Sequence, residues 1–332
     1  MKINIEKINL PYKTPFSITG YTFNGANTIR VTLVDNCLSG AGEAYAMGET
    51  ALGIFYEGET MDSMALQLES VLEQLGSGVT NDSLQSLLPR GGARNAFDCA
   101  LWDLKAKCSG RSIWELLNLK PKPLKTVSTI GIDTPGKMGA AALLAAQFTN
   151  LKVKLSNDDP IARLEAVRAA RPDANIIVDI NQGWSFSELK EYLPAAEKLN
   201  IAMIEQPLPR GADEELEDFK SPIPLGADES CLDSKEYEVA KNRYDVINVK
   251  LEKCGGLTDA LKIVELAKRD GKGLMVGNMG GSSLSMAPSF VIGQFCEYVD
   301  IDGPLLLVED VAHGLHYGEG GVVDIPSSSL WG

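Results

Sequence analysis

Histidine is nearly absent from this 332-residue chain. Only His313 and His316 are present, both in a Gly-rich segment near the end. A His-based triad, a histidine metal cluster or a histidine general base in the main body is therefore excluded. Acid–base chemistry there must use Lys, Asp, Glu, Tyr or Cys. Positive charge is also in short supply: 31 Lys plus Arg stand against 45 Asp plus Glu, for a net charge of −14. A surface this acidic repels nucleic acid and anionic lipid, so neither is an expected partner. The six cysteines, Cys37, Cys99, Cys108, Cys231, Cys254 and Cys296, form no C-x-x-C pair, which argues against a zinc ribbon or a redox motif. Scattered in a chain this large, they read as reduced, buried thiols of a cytoplasmic protein. The N-terminal segment lacks the apolar core of a signal peptide, and no apolar run is long enough to span a membrane.

What the chain does have is a cadence. From about residue 125, eight short β-rich runs alternate with mostly helical stretches: TVSTIGI, LKVKLS, NIIVDIN, IAMIEQP, IPLGADES, DVINVKL, GLMVGNM and CEYVDID. The polar residues at the ends of the first six, Thr129, Lys154, Asp179, Glu205, Asp228 and Lys250, recur every 22 to 26 residues. Between them, DPIARLEAVRAARPD offers Asp159 as a cap and Pro160 at the first turn, and LTDALKIVELAKRDG carries an apolar stripe ended by Gly271. Eight strand–helix units predict a (β/α)7–8 TIM-type barrel over 123–304. An open doubly wound sheet is the alternative, but no G-x-G-x-x-G follows an early strand. Residues 1–122 differ. INIEKINLPY and NTIRVTLVDN alternate like antiparallel strands, with a turn expected at Asp35–Asn36, and ARNAFDCALWDLKAKCSG reads as an amphipathic helix. This is an α+β capping domain, to which the tail from about 305 to 332 is expected to return.

The barrel gives meaning to an odd strand, NLKVKLS, whose Lys152 and Lys154 share one face. Active sites of such barrels lie at the C-terminal strand ends. Lys154 ends the second strand and Lys250 the sixth, so the two are opposed across the mouth. Asp179, Glu205 and Asp228 end the three strands between them. Converging carboxylates need a cation, and oxygen-only ligands suit Mg²⁺, with Mn²⁺ as a substitute. A lysine on either face of a bound carbon could then remove and return a proton. Lys152 is the expected tuner, because a like charge and a nearby cation favour the neutral, proton-accepting form of a lysine.

These motifs resemble the enolase superfamily, muconate-lactonizing subgroup, over essentially the whole chain. The matching segments are K-V-K (Lys152–Lys154), D-I-N (Asp179–Asn181), I-E-Q-P (Ile204–Pro207), A-D-E-S (Ala227–Ser230) and N-V-K (Asn248–Lys250), with ALWDL and SIWELL of the N-terminal domain. The resemblance implies a lysine base working beside Mg²⁺, one ion per chain, on an enolate. The eighth strand ends D-I-D-G-P, and Asp300 with Asp302 looks like the D-x-D of the dipeptide epimerases. There the pair receives the α-ammonium of the substrate, and Thr129 matches a substrate-contacting position. Ala-Glu epimerases carry an arginine in the loop after T-K-P-F. Here KTPFSITGYTF places Tyr21 at that position, so a small or apolar C-terminal residue is the expected preference. N-acylamino acid racemases, o-succinylbenzoate synthases, cycloisomerases and a non-catalytic metal-binding barrel are the alternatives. Glu49 and GNMGGSS (Gly277–Ser283) are further candidates for the pocket. Association into a homo-oligomer is compatible with such a barrel.

Overall fold

A computed structural model describes residues 1–18, 21–37, 42–52 and 58–332. Three long strands open the chain: β1 (Lys2–Ile18), β2 (Tyr21–Cys37) and β3 (Gly42–Ala51), antiparallel in that order. Asp35 and Asn36 do not turn. They remain paired in β2, with Ala44 and Glu43 on β3, because the strand ladder runs on to Cys37. Helices α1 (Met61–Ser70), α2 (Leu72–Gly76), α3 (Asn81–Leu87), α4 (Gly92–Ser109) and α5 (Ile113–Leu116) follow. Ile29, Val31 and Leu33, alternating along β2, form one apolar core with Ala93, Phe97 and Leu101 of α4.

Helix α4 ends at Gly110 in the left-handed conformation (φ 64°), but it is not amphipathic over most of its length. Every residue from Gly92 to Asp103 is buried, because α4 lies between the sheet and the second domain. Gly48 on β3 makes the approach possible: a Cβ there would stand 2.1 Å from the Ala96 carbonyl oxygen. The buried polar residues of α4 reach across to the second domain. Arg94 donates to the carbonyls of Cys254 and Gly255, Asp98 accepts from Thr258, and the Trp102 indole donates to the Thr258 hydroxyl.

After β4 (Leu124–Lys125), all eight predicted barrel strands form: β5 (Val127–Ile130), β6 (Asn150–Lys154), β7 (Asn175–Asp179), β8 (Ile201–Glu205), β9 (Leu225–Ala227), β10 (Val246–Val249), β11 (Gly273–Val276) and β12 (Tyr298–Val299). They make one parallel sheet in sequential order. Helices α6 (Pro135–Leu144), α7 (Pro160–Ala170), α8 (Phe186–Lys198), α9 (Tyr237–Arg243), α10 (Leu251–Cys254), α11 (Leu257–Asp270) and α12 (Ser283–Gly293) cover it. Two units lack a full helix: β8 and β9 are joined through a 3₁₀ turn, and α13 (Gly303–Leu306) is a single turn after β12. Asp159 occupies the cap position of α7, yet it takes φ 45° and its side chain makes no capping bond. Among the described residues no backbone ladder joins β12 to β5. The gap is bridged by side chains: the Thr126 hydroxyl donates to the Val299 carbonyl and accepts from Ile301 N, and Asp302 accepts from Thr129 N.

Strand parity sorts the barrel residues. Leu151, Val153, Ile176 and Val178 join the outer core with the helices, whereas Val127, Ile177, Met203, Val246 and Met275 form a separate apolar floor within the barrel. Residues two steps further along each strand stand above that floor, which is where the charged strand ends project.

The tail meets both parts of the chain: β13 (Val322–Val323) pairs with β4 beside the barrel, whereas the Trp331 indole donates to the Cys99 carbonyl and Gly332 N to Asp103, both on α4. The six cysteines are not all thiols: Cys37 and Cys108 form a disulfide with their Cα atoms 5.0 Å apart. The end of β2 lies against the end of α4, a proximity hidden by 71 residues of sequence. Cys99, Cys231 and Cys254 are buried free thiols, and Cys296 is half-buried. No helix of the described residues is long and apolar enough to cross a membrane.

Candidate active site

The barrel mouth gathers the charged residues singled out in the sequence. In register, Lys154 on β6 is opposite Asp179 on β7, and Asp179 is opposite Glu205 on β8. Asp179, Glu205 and Asp228 are all fully buried, with one oxygen from each within 4.8 Å of the others. Four lysines neutralise them. Lys152 Nζ lies 2.8 Å from Asp300, 2.8 Å from Glu205 and 3.1 Å from Asp179. Lys154 Nζ is 2.6 Å from Asp179 and donates to the Asn181 side chain, 3.1 Å away. Lys250 Nζ is 2.7 Å from Asp228 Oδ2, and Lys253 Nζ is 2.6 Å from Asp228 Oδ1. Lys152 thus answers the puzzle of its strand: it is a buried cation set among three carboxylates.

Burial alone would drive Lys152 toward its neutral form. Asp300, Glu205 and Asp179 overcome it and hold its pKa well above the ordinary value. For Lys250, burial is likewise outweighed, by Asp228 first, and the pKa is raised. Burial pushes Glu205 up to about 7, with the Asp179 charge adding to it. Asp179 is held down at about 2, because Lys154 and Lys152 together exceed its burial. The trio fits a divalent cation. Its donors are all carboxylate oxygens, and Glu205 Oε2, although 2.8 Å from Lys152, has no aligned hydrogen-bond donor.

A cavity of about 230 Å³ opens above this cluster. Lys152, Lys154, Lys250, Thr129, Asp300 and Asp302 line its barrel side; Tyr12, Phe16, Ile18, Tyr21 and Phe23, from β1 and β2, line the capping-domain side. The Tyr21 and Phe23 rings stack at 6.4 Å. Asp300 accepts from Lys152 and from the Asn278 side chain, which also donates to the Asp300 carbonyl. Asp302 accepts from Thr129 N, and burial followed by the Asp300 charge raises its pKa to about 7. Asn278, Met279 and Gly280 of the GNMGGSS segment also line the cavity. Glu49 does not. It is fully buried, pairs with Arg30 at 2.6 Å, and accepts from Ser282 N and Oγ, pinning that segment to the capping sheet.

Sequence reasoning missed several residues. Glu229, beside Asp228 in A-D-E-S, lines the cavity, and burial with the Asp228 charge raises it to about 8. Asn181 closes the D-I-N motif with φ 45° and holds Lys154. Gln206 follows Glu205 with φ 38°; its oxygen accepts from Asp228 N and Ser230 N and fixes the A-D-E-S turn. Each stands within two residues of a predicted ligand, inside the D-I-N, I-E-Q-P and A-D-E-S segments, and nothing in those segments singles it out.

The chain matches two family descriptions: the mandelate racemase/muconate lactonizing enzyme N-terminal domain over residues 2–118, and the enolase C-terminal domain-like family over 137–328. It is 45% identical to an N-acetyl-D-glutamate racemase of Pseudoalteromonas, over 75% of this chain and 79% of that one. It is 37% identical to the L-Ala-D/L-Glu epimerase of Escherichia coli, over 93% of this chain and 95% of that one. Among solved structures, an enolase family member from Agrobacterium tumefaciens with homology to dipeptide epimerases, holding sodium and L-Ala-L-Glu, superposes with a TM-score of 0.94 at 38% identity, covering 99% of each chain. A dipeptide epimerase from Cytophaga hutchinsonii complexed with Mg and D-Ala-L-Val superposes with a TM-score of 0.89 at 28% identity, covering 98% of this chain and 92% of that one.

Proposed function

The chain belongs to the mandelate racemase/muconate lactonizing enzyme family, with an enolase-like C-terminal domain, and from that premise we propose that it is a cation-dependent isomerase that inverts the α-carbon of the C-terminal residue of an Ala-Xaa type dipeptide. Asp179, Glu205 and Asp228 would hold one Mg²⁺ per chain, with Mn²⁺ as a substitute. When bound, the cation supplies positive charge beside the substrate carboxylate, which favours loss of the α-proton. Lys154 ends β6 and Lys250 directly follows β10, four strands away in an eight-stranded barrel, so they would face the bound carbon from opposite sides. One takes the α-proton to its Nζ while the other, charged, returns a proton to the opposite face; the reverse reaction exchanges their roles. The one that accepts must first be neutral and released from its carboxylate. Lys152 keeps its charge among Asp300, Glu205 and Asp179, a fixed positive charge beside the reacting lysines.

The observation that carries the dipeptide reading is the pair Asp300 and Asp302 in the same cavity as the two lysines. Two carboxylates at one strand end are suited to a free α-ammonium. Among the described residues, the cations lining the cavity are Lys152, Lys154 and Lys250, and the facing wall is aromatic and aliphatic. This supports a small or apolar C-terminal residue in place of an acidic one, with Tyr21 against that side chain. A second reading, an N-acylamino acid racemase, is favoured by the Pseudoalteromonas relative; such substrates lack the ammonium that the aspartate pair would receive.

Proton NMR in D₂O decides between them. With Mg²⁺, the C-terminal α-proton of Ala-Ala and Ala-Val should exchange as the second diastereomer appears, and EDTA should stop it. Asp302→Asn should cripple that exchange. Turnover of N-acetylglutamate but of no dipeptide, unaffected by Asp302→Asn, would establish the second reading. A clear preference for Ala-Glu would sink the apolar one.

A further inference from the structure

Asn248 and Lys253 are buried beside the acidic trio, at 1% and 3% exposure, and the reaction above gives them no task. Both belong to the segment N-V-K-L-E-K that carries Lys250. The Asn248 side-chain amide donates to Glu205 Oε1 at 2.6 Å. Lys253 Nζ donates to Asp228 Oδ1 at 2.6 Å and to three carbonyls around it: Asp228 at 2.5 Å, Cys231 at 3.2 Å and Asn248 at 3.1 Å. Each residue therefore holds one oxygen of a carboxylate and leaves its twin. Glu205 Oε2 is the twin without an aligned donor, and Asp228 Oδ2 is the twin met by Lys250.

We propose that Asn248 and Lys253 are positioning residues for the cation: each fixes one oxygen of Glu205 or Asp228, so that only Oε2 and Oδ2 are presented to the ion. This rests on the reading that the trio holds a divalent cation. A carboxylate fixed at one oxygen is a single, oriented ligand, and partners of this kind set affinity by orienting the groups that touch the metal. The loop of β10 would then build the cation site without contributing a ligand to it. The same loop supplies Lys250, which must leave Asp228 Oδ2 for that oxygen to reach an ion. The position of Lys253 also separates two physical effects. As a like charge it repels a cation, so its removal should tighten binding; as an orienting donor it helps, so its removal should weaken binding. Asn248 carries no charge, and only the second effect applies to it.

The test is Mn²⁺ affinity of the full chain by isothermal titration calorimetry, with the unfolding midpoint of the metal-free protein recorded for every variant. Asn248→Leu and Lys253→Met should each weaken Mn²⁺ binding by roughly ten- to a hundred-fold. Lys253→Gln keeps a donor without the charge and should stay near the wild-type value, or bind more tightly, which also decides the matter where Lys253→Met does not fold. Unchanged affinity in Asn248→Leu, or tighter binding in Lys253→Met, would overturn the role of that residue. If the wild-type chain and Asp179→Asn are equally silent toward Mn²⁺, the cation reading itself falls; wild-type binding that both variants leave untouched overturns the positioning roles alone.

Discussion

Two of the places where the molecule buries charge treat it differently. Along α4, between the domains, Asp98 accepts from Thr258 N, the Thr258 hydroxyl and the Asn81 amide, and Arg94 spends its donors on backbone carbonyls. The partners there are neutral and none needs to leave. At the barrel mouth four lysines crowd a carboxylate trio, and oxygens of Glu205 and Glu229 have no aligned donor. Those pairings have to break for anything else to bind. A buried network satisfied by neutral groups joins two bodies, whereas one made of opposed charges with spare acceptors is set up for exchange of partners.

The contrast can be broken most forcefully at the mouth. Lys154→Ala or Lys250→Ala should lower epimerisation by about 10²–10⁴-fold, as removal of a general base does, with little change in the unfolding midpoint; NMR turnover beside thermal melting checks both. Next comes Gly277→Ala. A Cβ there would stand 2.7 Å from the Asn248 side chain and 2.9 Å from Lys250 Cε. Displacing the lysine should reduce turnover by up to about 10²-fold, and an unaltered rate would mean that Lys250 tolerates displacement. At the domain seam the expected response is the reverse. Asp98→Ala strands the donors of Thr258 and Asn81 and should lower stability by about 1–3 kcal/mol, read by urea unfolding, with turnover per folded molecule unchanged.

The smallest expected effect is on pH dependence. Burial raises Asp98 to about 6 and Asp302, Glu205 and Glu252 to about 7. A carboxylate whose pKa is higher folded than unfolded binds protons more tightly in the folded state. Its contribution to stability is then greatest on the acid side and is lost as pH rises from about 4 toward 7. Asp179, held at about 2, acts only below that window. The metal-free protein should melt roughly a few degrees lower at pH 8 than at pH 5, and Asp302→Asn should flatten the profile. A midpoint that climbs with pH would contradict these directions.

The site was far more legible in the sequence than the capping domain, and the reason is geometric. A barrel strand is short, buried on both sides and open at one end, so a charged residue there has few structural excuses. Lys154, Asp179, Glu205, Asp228 and Lys250 therefore announce themselves by spacing alone. The first domain offers no such rule. The β2 ladder runs past Asp35 and Asn36 because register with β3 outweighs their turn propensity. The polar residues of α4 looked like a solvent face, since nothing local says that a second domain will cover them. Cys37 and Cys108 meet only once the sheet and α4 have packed. The contacts of Asn248 and Lys253 were illegible for a related reason: they depend on which oxygen of a distant carboxylate each one touches.

The bridge between β12 and β5 makes one carboxylate serve as a buckle. Asp302 faces the cavity, and it also accepts from Thr129 N where the hoop of strands lacks its last backbone rung. Asparagine keeps an oxygen for that fastening and removes only the charge, whereas alanine would unfasten the hoop as well. An acceptor at position 302 thus belongs to the closure of the barrel, and only its negative charge is left for the ammonium proposed above.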